Sequence, residues 1–410
     1  MHHRFSALAV SVVLAVASCG TETRSPSSAR ETITITETPA PAADQPAGPT
    51  ALTPVTGSVV AAPTPVAATD GKTHLAYELI LTNTLAQEVT LMSLGAIAGD
   101  KPLLTLTGPG LASRTRLVGN PAPTTAIGPA QTALVWLDVT VDDAAGVPTD
   151  LRHVVGISVP QPQPPIIDAA MTETIAPVKV DNRKPVTISP PLHGDDWVAG
   201  DGCCGMTGHR MAANPVNGAF WFAERYAIDY VQLTADARMF TGERTDLASY
   251  PYYGADVVAV ADGPVVAVVD GLPEQVPGAN PQGLQLDQYA GNRVIQDIGG
   301  GNYAMYAHLK TGTVKPKIGD KLTTGQTLGA LGNSGNSDAP HLHFQLMSAA
   351  DPLRSNGLPF VFDKFRLDGR LTSVDTLTDT GGPAEFQHGV TAQDETYRMP
   401  LVLDVMNYPA

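Results

Sequence analysis

The chain has 410 residues, enough for two or three domains, and it combines 39 Gly and 35 Pro with only 16% charged residues. That balance favours strands and turns over helices, and no long stretch carries helical apolar spacing. A formal net charge of −15 argues against a nucleic-acid partner, because phosphate contacts need a basic surface.

In chain order, the first element reads as an export signal. Met1-His2-His3-Arg4 is a short basic start, and Phe5 to Ala17 is an apolar run too short to span a bilayer as a mature helix. It ends in Val16-Ala17-Ser18-Cys19-Gly20, which resembles the bacterial lipoprotein cleavage box. The resemblance implies removal of residues 1–18 and lipid on Cys19, anchoring the exported chain to a membrane of the cell envelope. An ordinary signal peptide cleaved nearby is the alternative. Residues 19–55 contain Thr32-Ile33-Thr34-Ile35-Thr36 and Pro39-Ala40-Pro41-Ala42 and cannot bury a core, so a disordered tether is expected there.

Residues 56–183 turn to short β-rich runs: His74 to Leu81, Glu88 to Leu94, Leu103 to Leu106, Ala133 to Val139 and His153 to Val159, with Gly, Pro or Asp between them. The pattern predicts a β-sandwich of immunoglobulin-like type. It carries no chemistry of its own. Spacing, covering the next domain's site, or binding wall-synthesis or division proteins are the roles open to it.

Residues 184–365 form the domain with chemistry. Gly254 to Val268 reads as two strands around an Asp262-Gly263 turn, and Gly319 to Gly329 as two short strands around a tight turn. Between them lie Asn292 to Ile298 and a strand, Tyr303 to Leu309, that ends in His308. A loop, Gly332-Asn333-Ser334-Gly335, leads through Pro340 to His341-Leu342-His343-Phe344-Gln345. Side chains alternate across a strand, so His341 and His343 share a face while Leu342 and Phe344 pack behind. From that motif alone, a metal site and two ordinary strand histidines both remain open. Residues 366–410 read as extra strands, with His388 in an exposed loop. Cys203 and Cys204 are adjacent: a vicinal disulfide, which export favours, two buried thiols and metal ligands are the three readings.

The ordered set Tyr306-Ala307-His308-Leu309, Gly319-Asp320, Gly325-Gln326, Gly329, Gly332-Asn333-Ser334-Gly335 and Pro340-His341-Leu342-His343-Phe344 resembles the lysostaphin/LytM-type zinc metallopeptidases, over about 200 to 350. Those enzymes cut peptide cross-links or bridges of bacterial peptidoglycan. The resemblance implies a mainly β protein whose C-terminal antiparallel domain holds Zn2+ with His, Asp and His, and keeps a fourth position for water. His343, the second His of the pair, is one ligand, and Asp229 in Tyr226-Ala227-Ile228-Asp229-Tyr230 is the second. The family's remaining His stands four residues before the Asp, where this chain has Arg225. His209 in Thr207-Gly208-His209-Arg210 takes that role here, with His193 as second choice.

His308 and His341 match the family's catalytic histidines, one to accept a proton from water and one to donate to the oxyanion or the leaving amine. Asn292 resembles a cleft position; Arg225 orients the Asp, contacts substrate or faces solvent. Tyr226 and Tyr230 should point away from Asp229 into the core. The implied function is zinc-dependent endopeptidase action on peptidoglycan stem peptides or cross-bridges. The alternative is a non-catalytic relative that binds the wall and activates another hydrolase, for which Arg225 is the one point. A carrier domain built on the Gly-Asp-x-x-x-x-Gly-Gln turn is a third reading, which export and Asp229 argue against.

Overall fold

A computed structural model describes residues 50–373 and 383–409. The export signal, Cys19 and most of the expected tether lie outside the described residues. Among the described residues no helix is long and apolar enough to cross a membrane.

The N-terminal domain is a sandwich of two five-stranded sheets. One contains Val55–Val59, Lys72–Asn83, Thr132–Asp142 and Thr115–Leu117 in that order; the other contains Ala170–Lys179, Asp150–Ser158, Val89–Ala98 and Lys101–Thr107. Val55, the last residue assigned to the tether, is instead fully buried in the first strand. Alternation explains the core: Leu75, Tyr77, Leu79 and Leu81 on one sheet meet Leu91, Leu94, Val155 and Ile157 on the other.

Several intervening residues of Lys72–Asn83 are buried too. His74, Ala76 and Glu78, with Leu134 and Trp136 on the neighbouring strand, form the sheet's second face. That face is covered by the C-terminal domain. Ala76 joins its main core, while Leu134 and Trp136 pack against Phe222, Met206 and Met211.

The C-terminal domain is organised by an 11-stranded sheet. Its middle runs Gly263–Val269, Asn292–Asp297, Tyr303–Leu309, Leu342–Met347, Ile228–Gln232, Gly194–Gly200, Asp404–Tyr408 and Phe365–Arg370, each neighbour antiparallel. The strands after residue 365 therefore continue the sheet that begins at Gly194–Gly200. Leu342, Phe344 and Leu346 enter the core from one face of their strand, leaving His343 and Gln345 on the other.

Two local pairings differ from the sequence expectation. Asp256–Val258 pairs with Thr327–Ala330, while Gly263–Val269 pairs with Lys321–Leu322 and Asn292–Asp297. Neither the Asp262-Gly263 turn nor the turn before Gly325 closes a hairpin; each passes the chain between sheets. They brace one another, because Asp262 Oδ1 accepts from the Thr324 amide at 2.8 Å and from its hydroxyl at 2.9 Å. Gly263 is needed for contact, since a Cβ there would lie 2.0 Å from the Asp297 carbonyl oxygen.

Cys203 and Cys204 form a buried vicinal disulfide in the loop after Gly194–Gly200. Close to it at the domain boundary, His74 Nδ1 lies 3.0 Å from Asp138 and its Nε2 3.2 Å from Asp70. Burial opposes protonation of this ring, but the two carboxylates overcome it and raise its pKa to about 9. A folded pKa above the unfolded 6.5 means the contribution to stability is complete below about pH 6.5 and is lost as pH rises through 9. His74→Gln is therefore expected to lower unfolding free energy by on the order of 3 kcal/mol at pH 6. The difference should nearly vanish at pH 10, as read from urea unfolding at both pH values.

Candidate metal centre and active site

Three adjacent strands make the floor of the site. Asp229 is paired with His343, and His343 with Ala307. Residues directly opposite in an antiparallel pair share a face, so Asp229 and His343 point together while Ile228, Tyr230, Leu342 and Phe344 go to the core. A regular strand would send His308 to the face opposite Ala307. Instead the register slips between Asn292 and Val294, and His308 adopts φ 58°. Histidine enters this left-handed region more readily than most residues, and the irregularity turns its ring toward the site. The His308 ring centre lies 4.7 Å from that of His341 and 5.8 Å from that of His343.

His341 sits just before its strand, bridged to Gly332. His209 comes from a one-turn helix, Gly208–Met211, capped by the Thr207 side chain. Its Nε2 reaches to 3.3 Å from Asp229 Oδ2, while His343 Nδ1 lies 3.0 Å and His341 Nε2 3.4 Å from Asp229 Oδ1. Ligand atoms of His209, Asp229 and His343 all lie within 4.8 Å of one another.

The far nitrogen of each ring decides what its near nitrogen can do. His209 Nδ1 donates to the Asp201 carbonyl at 3.1 Å, and His343 Nε2 to Gln345 Oε1 at 2.7 Å. In the neutral rings, the nitrogens facing Asp229 are then lone pairs. Two lone pairs turned on a carboxylate form an arrangement that a shared cation satisfies. Two nitrogens and one carboxylate are also the donor set of an open catalytic zinc site, so the residues present fit such an ion. His308 Nδ1 donates to the Ser334 carbonyl at 2.7 Å and His341 Nδ1 to the Ala339 carbonyl at 2.8 Å, so in the neutral rings both Nε2 atoms are lone pairs, that of His341 3.4 Å from Asp229 Oδ1.

Electrostatics follow from the same geometry. Burial disfavours the Asp229 charge, yet His209 and His341 hold its carboxyl well below the usual range. Burial works against protonated His209 as well, but Asp229 raises it to about 10. His308 is pushed well below the ordinary imidazole value, first by burial and then by His341 and His343. The four imidazoles and Asp229 line a cleft of about 730 Å³ whose walls include Asp201, Glu224, Arg293, Asp338 and Asp351. That is the size of a small-molecule or peptide pocket.

Several expected positions fall elsewhere. Asn292 does not line the cleft: it is fully buried, its amide donating to the Leu272 and Leu309 carbonyls and accepting from the Leu272 amide. Its neighbour Arg293 is the cleft residue. Arg225 neither touches substrate space nor faces solvent; it is buried against Glu78 of the sandwich. His193 is exposed and bonded to the Pro409 carbonyl, away from the site. Tyr226 and Tyr230 are in the core, and His388 is exposed.

Sequence reasoning missed Gln345, Asp201, Ser334 and Ala339. Gln345 was within reach, because it continues the alternation His341-x-His343-x-Gln345. The other three act through backbone carbonyls, which no residue type announces. A second cluster, His74, Asp138 and Cys204, also brings ligand-type atoms together. There Cys204 is disulfide-bonded and both His74 nitrogens face carboxylates, so it is not a comparable donor set.

Residues 246–355 match the model of peptidase family M23, a span that contains His308, His341 and His343. The chain is 33% identical over 113 residues to the glycyl-glycine endopeptidase ALE-1 of Staphylococcus capitis, covering 27% of this chain and 29% of that one. It is 30% identical over 105 residues to the peptidoglycan DD-endopeptidase ShyA of Vibrio cholerae, covering 26% of this chain and 22% of that one. The matched part thus spans less than a third of either relative. Among solved structures, the catalytic domain of lysostaphin from Staphylococcus simulans aligns with 40% of this chain and 88% of its own, at 20% identity and a TM-score of 0.22. Residues 246–355 are thus similar to a peptidase M23 domain.

Gln345→Leu should weaken divalent-metal binding by about 10- to 100-fold, because His343 loses the acceptor that selects its tautomer. Competition with a chromophoric chelator reads this directly; unchanged affinity would remove Gln345 from the centre.

Proposed function

We propose that this chain is a zinc-dependent endopeptidase that hydrolyses peptide bonds in peptidoglycan stem peptides or cross-bridges. The observation that carries the reading is the convergence on one cleft of three ligand-type side chains, His209, Asp229 and His343, with two further imidazoles, His308 and His341, whose Nδ1 atoms are held by backbone carbonyls. His209 would hold the ion through Nε2, Asp229 through its carboxylate and His343 through Nδ1. When bound, zinc supplies Lewis acidity toward a peptide carbonyl and toward water.

The remaining work belongs to the protein. Hydrolysis joins a water oxygen to the carbonyl carbon, breaks the C–N bond and moves a proton from water to the leaving nitrogen. His308 suits the role of proton acceptor, because its Nδ1–H is taken by the Ser334 carbonyl and its Nε2 lone pair is left for the cleft. His341, its Nδ1–H set on the Ala339 carbonyl, would donate from Nε2 to the oxyanion or the departing amine in its imidazolium form.

The names of relatives support the substrate class: two are peptidoglycan DD-endopeptidases and one a glycyl-glycine endopeptidase. An exported chain anchored by lipid on Cys19 would face that substrate. The non-catalytic alternative drew on Arg225 and a missing third ligand. With His209 Nε2 at 3.3 Å from Asp229, no observation favours it.

The test is zinc content and wall-peptide hydrolysis, measured in parallel. Wild type should bind one zinc per chain and cleave; His209→Ala should lose both. His308→Ala should keep zinc and lose roughly 10²- to 10⁴-fold in rate. A wild type with neither zinc after reconstitution nor cleavage would overturn the enzyme reading. Separately, Cys19→Ala should move the exported protein from the membrane fraction to the soluble one; retention in membranes would remove the lipid anchor.

A further inference from the structure

One carboxylate of the sandwich reaches both segments that carry His209 and Asp229. Glu78 lies in the middle of Lys72–Asn83, on the face turned toward the C-terminal domain, and is 0% exposed. Two guanidinium groups converge on it. Arg225 Nε stands 3.0 Å from each carboxylate oxygen and its Nη2 also bonds Oε2, while Arg210 Nη1 bonds Oε1. Arg210 Nη2 continues to the Leu137 carbonyl at 3.2 Å, and Arg225 Nη1 to the Gly357 carbonyl at 3.4 Å.

The consequence lies in what the arginines are attached to. Arg210 follows His209 in the helix Gly208–Met211. The two side chains leave that helix in different directions, the imidazole toward Asp229 and the guanidinium into the sandwich. One helical turn cannot hold its own orientation, so an external anchor is needed. Arg225 stands four residues before Asp229, at the entry to Ile228–Gln232. Glu78 therefore grips both segments that deliver these ligands.

We propose that Glu78 is a positioning residue of the metal centre: from the sandwich it holds Arg210 and Arg225, and through them it sets His209 against Asp229. The centre is thus assembled by both domains. This rests on the metal-centre reading above. Charge-assisted, multidentate pairs are directional, whereas buried ion groups add little stability over apolar residues of similar volume. Orientation rather than stability is the contribution expected of this cluster.

The experiment measures Zn2+ affinity by chelator competition, the Co2+ absorption spectrum and thermal unfolding on the purified full chain. Four proteins are compared: wild type, Glu78→Gln, the combined Glu78→Leu, Arg210→Met, Arg225→Met replacement, and Leu94→Ala. Leu94 lies in the sandwich core away from the cluster, so its substitution lowers the unfolding temperature and leaves affinity alone. Glu78→Gln is expected to lose about 10- to 100-fold in affinity and to shift the cobalt spectrum. The apolar replacement keeps the fold if the amide variant does not, and should show the same loss. Wild-type affinity and spectrum in either folded variant would overturn the proposal, as would an affinity loss that merely follows unfolding temperature in Leu94→Ala as well. A wild type that binds no metal would instead overturn the metal centre, and this proposal with it.

Discussion

A carboxylate enclosed by imidazoles is the interaction on which the candidate site depends. Removing a charge from water is unfavourable by several kcal/mol unless it is paired, and Asp229 meets His209, His341 and His343 within 3.4 Å. Each of those rings is held in turn by its far nitrogen. One of the holding groups, the Ala339 carbonyl, belongs to the loop 332–340, which also holds His308 through the Ser334 carbonyl and must itself be rigid. Ser334 Oγ donates to the Leu309 carbonyl and accepts from the Asn292 amide, and Ser337 packs its hydroxyl between Asn333 and Ala339. Gly335 allows this closeness, since a Cβ there would lie 2.4 Å from the Gly291 nitrogen. Asn292 belongs to this scaffold, fixing the loop that faces the site rather than facing it.

The two domains share more surface than a tether between independent units requires. Lys72–Asn83 is buried on both faces, one side serving the sandwich core and the other the C-terminal core. Tyr226, three residues before Asp229, lays its hydroxyl near the Ala76 and Thr64 carbonyls of the sandwich. The hydrophobic contact of Leu134 and Trp136 with Phe222 lies beside the Glu78 cluster. Apolar burial supplies association here, and the buried ions supply direction.

Much of this was legible in the sequence. Alternation in the β-rich runs of residues 56–183 foretold strands, and His-x-His on a strand foretold two imidazoles on one side of it. The likeness to a known peptidase pattern named Asp229, His308, His341 and His343, and the structure brings these together with His209. The misreadings have a common cause. Asp262-Gly263 is a hairpin signal when read locally, yet its two strands find partners far away, Thr327–Ala330 and Asn292–Asp297. Arg225 reads as a cleft residue because it precedes Asp229, but its partner lies 147 residues earlier in the chain.

The sequence by itself pointed to the class of fold, to the residue types that meet in the cleft and to the face on which residues of the regular strands lie, because those follow from side-chain type and a period of two. It did not determine the orientation of His308, which depends on a slip in register and a left-handed backbone. Nor did it determine the tautomers, set by carbonyls of Asp201, Ser334 and Ala339. The burial of Arg210 and Arg225 against Glu78 was equally out of reach. These are contacts between groups remote in the chain, and a backbone carbonyl or a buried partner has no signature in the residues beside it; only tertiary packing decides them.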